Sequence, residues 1–316
     1  MTIGKVLVTG ATGFVGRALV GEALARRLPV RGAVRTAGSR CGAESVIVGE
    51  AHAAADWSGA LQGCESVVHL ANLAHASAGA EQIQRINVDG TLRLAEQAHE
   101  CGLRRLVFVS SIKALAEASG DRPLREDDAP APCDAYGRAK LAAERALRRF
   151  SLASGLEVSI LRPPLAYGAG VRANFLALLR AIARGLPLPV ASIDNRRSLI
   201  YLGNLCDAIL ACVLAPQAAG RTYHVSDGAA LSPPALVRAI AAALGRPARL
   251  LPCPPALLES LAAAIGRPET AKRLTRSREL DDSAIRHELG WQPPYSFTAG
   301  LDQTVRWFRG RNGADS

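Results

Sequence analysis

The chain has little lysine, few aromatics and no paired cysteines. Of its 38 basic residues only four are lysines (Lys5, Lys113, Lys140 and Lys272), and the arginines are scattered among alanines. Aromatic residues make up 4%, no basic run carries interleaved aromatics, and no helix-turn-helix or finger spacing occurs. Nucleic acid is therefore not an expected partner, and an arginine bias accounts for the net charge of +10. The seven cysteines are odd in number and widely spaced, without a C-x-x-C, which argues against a disulfide frame or a zinc site. The six histidines are dispersed, so no metal is expected. No run approaches the ~18 apolar residues of a membrane helix, and Met1 leads into the first strand without a basic and apolar presequence. These absences predict a cytoplasmic protein with no transmembrane segment, and 49% hydrophobic against 21% charged residues argues against disorder.

What is present begins with Lys5 to Gly16, KVLVTGATGFVG. The apolar run Val6, Leu7, Val8 reads as a buried parallel strand. It breaks into glycines at Gly10, Gly13 and Gly16 before an amphipathic helix over Phe14 to Leu28. In such a strand, turn and helix, Gly10 permits the tight turn, Gly13 lets a pyrophosphate approach the backbone and Gly16 lets the helix pack on the strand. The spacing is G-x-x-G-x-x-G and not the general G-x-G-x-x-G.

Further strands are predicted at Val30–Val34, Ser45–Val48, Val67–Leu70, Leu106–Val109 and Val158–Leu161, with helices at Trp57–Leu61, Gln82–His99 and Asp134–Ala153. Strands alternating with helices imply right-handed crossovers and a parallel sheet covered on both faces. The fold class is α/β, a Rossmann-like doubly wound parallel sheet with a smaller C-terminal lobe. Residues 1–165 are expected to form the dinucleotide-binding domain, and residues 166–316 mainly a substrate-binding lobe interleaved with it.

Tyr136 and Lys140 form a Y-x-x-x-K on a predicted helix, where positions i and i+4 share a face. With five tyrosines and four lysines in 316 residues, about 0.06 such pairs are expected by chance. A nearby ammonium favours the phenolate, letting Tyr136 exchange a proton nearer pH 7. Ser111, at the carboxyl end of the preceding strand, can hydrogen-bond a reacting oxygen there. Each residue alone could be a surface tyrosine, a surface lysine or a capping serine; the set favours chemistry. The arginine excess suits a protein that holds two anions, a dinucleotide and a phosphorylated substrate.

With these pieces placed, the chain resembles the extended short-chain dehydrogenases/reductases that act on nucleotide sugars. The matching segments are TGATGFVG (Thr9 to Gly16), HLA (His69 to Ala71), NVDGT (Asn87 to Thr91), VSS (Val109 to Ser111), YGRAK (Tyr136 to Lys140), RPPLAYG (Arg162 to Gly168), RRSLIYLGNL (Arg196 to Leu205) and LGWQP (Leu289 to Pro293). The resemblance implies that Tyr136 is the acid/base, that Lys140 lowers its pKa and holds the nicotinamide ribose, that Ser111 binds the substrate oxygen and that Asn87 supports the active-site helix. It places the cofactor against Gly10, Thr12, Gly13, Phe14, Val15 and Gly16, then Glu50 and Ala51, Leu70 and Ala71, and Pro163. It places substrate at Ser111, Lys113, Asn174, Arg197 and Arg273; a helix cap and a solvated arginine are equal readings of Asn174 and Arg197. It also implies a homodimer through the two long helices.

Departures from the family pattern shape the expected reaction. Arg35, followed by Thr36, stands where NAD-preferring members carry an acid, which favours NADP(H) over the alternative NAD(H). Glu50 stands where an aspartate is usual. Ile112 and Lys113 follow Ser111 in place of the two acids of dehydratases, so elimination of water is not expected. The SSIK, RPPLAYG and NRRS segments resemble those of bacterial surface-polysaccharide 4-keto reductases, and the main expectation that this resemblance implies is reduction of a UDP-4-keto-6-deoxy-N-acetylhexose. The alternative is a UDP-glucose/UDP-N-acetylglucosamine 4-epimerase, and a third is a catalytically idle NADPH sensor.

Overall fold

The computed structural model describes residues 4–73, 79–264, 266 and 274–313. Strands β1 (Lys5–Thr9), β2 (Val30–Val34), β3 (Glu44–Ile47), β4 (Cys64–His69), β5 (Arg105–Val109), β6 (Glu157–Arg162), β7 (Leu165–Tyr167), β8 (Leu199–Tyr201) and β9 (Thr222–His224) fall into two sheets. The larger is parallel throughout, with order β3-β2-β1-β4-β5-β6-β9, and β7 pairs with β8 in the smaller. The order reverses between β1 and β4, which opens a crevice at the carboxyl ends of these strands, where such sheets take ligands.

Helices α1 (Phe14–Ala25), α2 (Ser58–Leu61), α3 (Ala80–Gln84), α4 (Gly90–Glu100), α5 (Ala135–Ser154), α6 (Ala173–Ala183), α7 (Leu202–Leu214), α8 (Pro233–Ala243), α9 (Pro255–Ala264), α10 (Ser283–Leu289) and α11 (Phe297–Gly313) complete the fold. The two faces of β1 explain the layers. Val6 and Val8 point to one side, onto Leu19, Val20 and Ala23 of α1 and Leu205, Ile209 and Val213 of α7. Leu7 points to the other, onto Leu94, Ala95 and Ala98 of α4 and Ala143 and Leu147 of α5. This period of two, with helices on both faces, is what a parallel sheet requires. A separate core joins Tyr167, Phe175, Leu179, Tyr201, Ile240, Val305 and Phe308 from β7, α6, β8, α8 and α11. Residues from the second half also return to the large sheet, through α7 and β9.

The single helix expected over Gln82–His99 is instead interrupted by a π-helical turn at Arg85–Asp89. The cause is local. Asn87 is buried and its amide clamps the backbone of Leu73, accepting from Leu73 N at 2.7 Å and donating to its carbonyl at 2.9 Å. At Gly90 the helix passes so close to Ala51 that a Cβ would lie 2.6 Å from the Ala51 carbonyl oxygen. The extra residue in the turn serves both contacts, as π turns in helices commonly do at functional positions.

The end of α7 is held by a side chain that sequence periodicity does not reveal. Arg105, fully buried on β5, donates to the carbonyls of Cys212, Val213 and Ala215 at 3.0, 3.1 and 2.6 Å, and pairs with Glu157 at 2.6 Å. Those carbonyls are the orphan acceptors of a helix terminus. Arg105→Ala should strand them and the Glu157 carboxylate, costing about 3–5 kcal/mol. A lower denaturant midpoint, with nucleotide affinity of the folded protein unchanged, is the expected result.

Candidate active site

The turn after β1 has the shape its glycines predict. Gly10 has φ +63°, and a Cβ there would lie 2.9 Å from Ala71 N. A Cβ on Gly16 would come within 2.2 Å of the Gly10 carbonyl oxygen, so α1 can pack this closely only with hydrogen at that position. Gly13 is the N-cap of α1, no side chain caps the helix, and its first turn carries no acid. The leading amides, from Phe14 and Val15 onward, are thus left for an external anion. Arg17 Nε donates to the Thr12 carbonyl at 2.9 Å and adds a cation beside the turn.

A buried relay fixes the opposite wall. Thr9 Oγ1 accepts from Leu70 N and Ala71 N, both at 3.1 Å, so its own proton is directed to His69 Nδ1 at 2.8 Å. His69 is then the Nε2–H tautomer, donating to Thr91 Oγ1 at 3.0 Å, which donates to the Asn87 carbonyl at 2.9 Å. Burial, aided by the Lys140 charge, pushes His69 down to about 3. The relay holds Leu70 and Ala71 at the crevice edge and ties them to the π-helical turn.

Ser111, Tyr136 and Lys140 meet where β5 ends. The Ser111 hydroxyl lies beside the Tyr136 phenol and favours its ionised form. Lys140, 1% exposed, donates from Nζ to the Val109 carbonyl at 2.9 Å and lies 4.5 Å above the Phe108 ring and 5.9 Å from the Tyr136 ring centroid. Asp134 caps α5, accepting from Gly137 N at 2.7 Å, and pairs with Lys113 Nζ at 2.6 Å. Below Lys140, Glu144 accepts from Ser110 at 2.5 Å and pairs with buried Arg162 at 2.7 Å.

The electrostatics correct one sequence expectation. Lys140 does not pull Tyr136 down in the protein by itself: burial, then the charge of Asp134, pushes the phenol up to about 12, against the lowering effect of Ser111. Burial likewise lowers Lys140 to about 7, although Glu144 favours its charged form. Both groups have lost water, and burial is the largest cause of each shift.

The remaining candidates spread along the crevice and into the second lobe. Arg35, Thr36 and Glu50 are exposed past β2 and β3, while Ala51 is buried against Gly90. Pro163 is buried, and its carbonyl accepts from Ile112 N at 3.0 Å. Asn174 is exposed in the first turn of α6, beside Ala173 at φ +49°; Arg197 is half-buried just before β8, its backbone paired with Leu231. Arg273 lies outside the described residues. Sequence reasoning missed Asp134, Glu144 and Arg162 as supports of the site; only Asp134 carried a readable signal, an N-cap residue just before a helix. A cavity of about 560 Å³ behind the glycine turn, lined by Phe14, Arg17, Arg172, Tyr201 and Tyr295, holds none of Ser111, Tyr136 or Lys140.

The family model described as the NAD dependent epimerase/dehydratase family matches residues 6–226. The chain belongs to the NAD-dependent epimerase/dehydratase family. It is 37% identical over 312 residues to a UDP-glucose 4-epimerase of Vibrio cholerae, covering 96% of this chain and 95% of that one. In fold it is similar to a UDP-N-acetylglucosamine 4-epimerase from Bacillus cereus, with TM-score 0.82, 22% identity, and 97% and 99% of the two chains covered. It is also similar to MoeE5 in complex with UDP-glucose and NAD, with TM-score 0.79, 26% identity, and 98% and 100% covered. As an epimerase/dehydratase family member it is an enzyme of the extended short-chain dehydrogenase/reductase type. Its uncapped glycine turn at the switch point fits the dinucleotide that the family name specifies.

Two outcomes follow from this geometry. Gly16→Ala should abolish nucleotide-induced thermal stabilisation, whereas Gly21→Ala, with nothing within 4 Å of its added Cβ, should keep it and change stability by at most about 1 kcal/mol. For His69, the folded pKa lies below the ordinary value near 6.5, so the unfolded chain takes up the proton first as pH falls. The native state should be fully favoured above about pH 6.5 and lose stability toward about 3. Denaturant titrations of His69→Asn should show a flatter acid slope than the unsubstituted protein.

Proposed function

We propose that this enzyme acts at C4 of UDP-linked hexoses, interconverting C4 epimers such as UDP-glucose or UDP-N-acetylglucosamine and their galacto forms with bound NAD. The observation that carries this reading is the meeting of Ser111 and Tyr136 with buried Lys140 at the end of β5, in a chain similar along nearly its whole length to a UDP-glucose 4-epimerase. The chemistry needs a base for the C4 hydroxyl proton and a donor to hold that oxygen as it becomes a carbonyl. Tyr136 is placed for the first role and Ser111 for the second. When bound, an oxidised nicotinamide would supply the acceptor and donor of the C4 hydride and a positive charge beside that of Lys140. Lys140 favours the phenolate and is anchored by the Val109 carbonyl, so its ammonium keeps a fixed position through both half-reactions. The glycine turn and Arg17 receive the dinucleotide diphosphate, and Asn174 and Arg197 of the second lobe receive the sugar nucleotide's diphosphate. Inversion at C4 comes from rotation of the 4-keto sugar between the two hydride steps.

A second reading, one-way reduction of a 4-keto sugar by NADPH, is favoured by the exposed Arg35 at the end of β2, where a 2′-phosphate would meet a cation. Epimerisation predicts that UDP-glucose or UDP-N-acetylglucosamine is converted to its C4 epimer with no net change in nicotinamide absorbance, and that NAD binds more tightly than NADP. Tyr136→Phe should lower turnover by about 10²–10⁴-fold. Undiminished turnover by that variant would overturn the assignment. Net consumption of NADPH with a UDP-4-keto sugar, weakened by Arg35→Glu, would favour the reductase.

A further inference from the structure

The sequence places Lys113 among the substrate contacts, but the structure engages it elsewhere. Its Nζ lies 2.6 Å from Asp134 Oδ2 and 3.6 Å from Glu117 Oε2, whose other oxygen is held by Arg278 at 2.7 Å. Its backbone N donates to Ser111 Oγ at 3.3 Å. Its carbonyl presses so closely on α5 that a Cβ on Gly137 would lie 2.3 Å from it. One residue thus touches the Ser111 hydroxyl, the first turn of the helix that carries Tyr136, and the N-cap carboxylate two residues before the phenol.

Resting on the function proposed above, we propose that Lys113 is a positioning residue: its ion pair with Asp134 locks the Ser111 loop to the start of α5 and balances the N-cap carboxylate two residues before Tyr136. The charged groups here are those of the described elements at this end of β5. Asp134, Lys140 and Glu144 come from α5 and its cap, and Lys113 and Glu117 from the segment after β5, with Arg278 behind Glu117. Asp134 disfavours the phenolate, and Lys113 is the cation that opposes Asp134 directly. Losing Lys113 would loosen the loop and expose the phenol to the full charge of Asp134. Asparagine at 134 keeps the cap while removing the charge, because Asn and Asp cap helices about equally well.

The test is a cycle of Lys113→Met, Asp134→Asn and the double variant, with Lys113→Arg as conservative rescue, each assayed as holoenzyme across pH. Lys113→Met should move the alkaline rise of kcat upward by about one pH unit, about tenfold at neutral pH. KM for the UDP-sugar should change less than about twofold, since a positioning residue loses kcat and not uniform binding. Asp134→Asn in the Lys113→Met background should bring the profile back, and Lys113→Arg should leave it in place. A raised KM with unchanged kcat would overturn the proposal in favour of a direct substrate contact. An equal loss at all pH values that neither partner variant repairs would overturn it in favour of a purely structural role. Tyrosinate absorbance of the NAD-bound protein, read as the difference from Tyr136→Phe, needs no turnover. A midpoint that moves in Lys113→Met while no UDP-sugar is converted sinks the proposed function and keeps the clamp, whereas turnover with an unmoved midpoint sinks the clamp.

Discussion

The buried ion pair between Glu144 and Arg162 is the constraint on which the reaction centre rests. Both side chains are sealed from solvent, at 1% and 2% exposure, and two charges taken out of water are tolerated only when their polar atoms find partners. Here both carboxylate oxygens and all three guanidinium nitrogens have one: Glu144 takes two nitrogens of Arg162 and the Ser110 hydroxyl, and Arg162 spends another nitrogen on the Glu126 carbonyl. The pair therefore binds the end of β5, the middle of α5 and the end of β6 into one unit. Lys140 stands one turn above Glu144 on the same helix face, and Ser111 follows Ser110. The relative positions of the ammonium and the serine hydroxyl rest on this pair together with the contacts of Lys113 with the start of α5.

The same logic appears on the far side of the crevice, where Thr9, His69, Thr91 and the Asn87 carbonyl form a chain with one consistent direction of proton donation. Two walls, each fixed by buried polar side chains, face one another across the carboxyl ends of β4 and β5. Between them the desolvated tyrosine and lysine are both displaced toward neutrality. A site of this kind is poised to respond to added charge, because in a water-poor setting each new cation acts on the phenol with little screening.

Much of this was legible in the sequence wherever the constraint is local. The glycines at 10, 13 and 16 announce a turn because backbone conformation and close approach depend on the residue itself. Tyr136 and Lys140 announce a shared helix face because four residues make about one turn. The layers follow from the alternation of Val6, Leu7 and Val8. What could not be read depends on pairings that topology alone creates: Arg162 with Glu144, Lys113 with Asp134, and Arg105 with the carbonyls ending α7. The π-helical turn was hidden for the same reason, since its cause is the backbone of Leu73 and Ala51 lying across from Asn87 and Gly90. The expectation that Lys140 would acidify Tyr136 counted the attractive charge and omitted the loss of water, which is the larger effect in the protein without added charge.

The second lobe is set against this frame by a carboxylate and not by a flexible joint. Asp227, just past β9, accepts from the Tyr167 hydroxyl at 2.7 Å, from Tyr201 N at 2.8 Å and from Asn204 Nδ2 at 2.7 Å. Asn204 in turn exchanges hydrogen bonds with the backbone of Tyr295. One acid thus joins the last strand of the large sheet to β7, β8 and the start of α7, and through Asn204 to the segment leading into α11. Its burial raises its pKa, so the three donors oppose a real tendency to take up a proton, and losing any of them would shift that balance. Because β7 follows directly from β6, and β6 carries Arg162, the hub at Asp227 and the pair at Glu144 are linked by a few residues of extended chain. The half-buried carboxylate of Asp227 and the buried one of Glu144 are thus each held in place by donors from several elements.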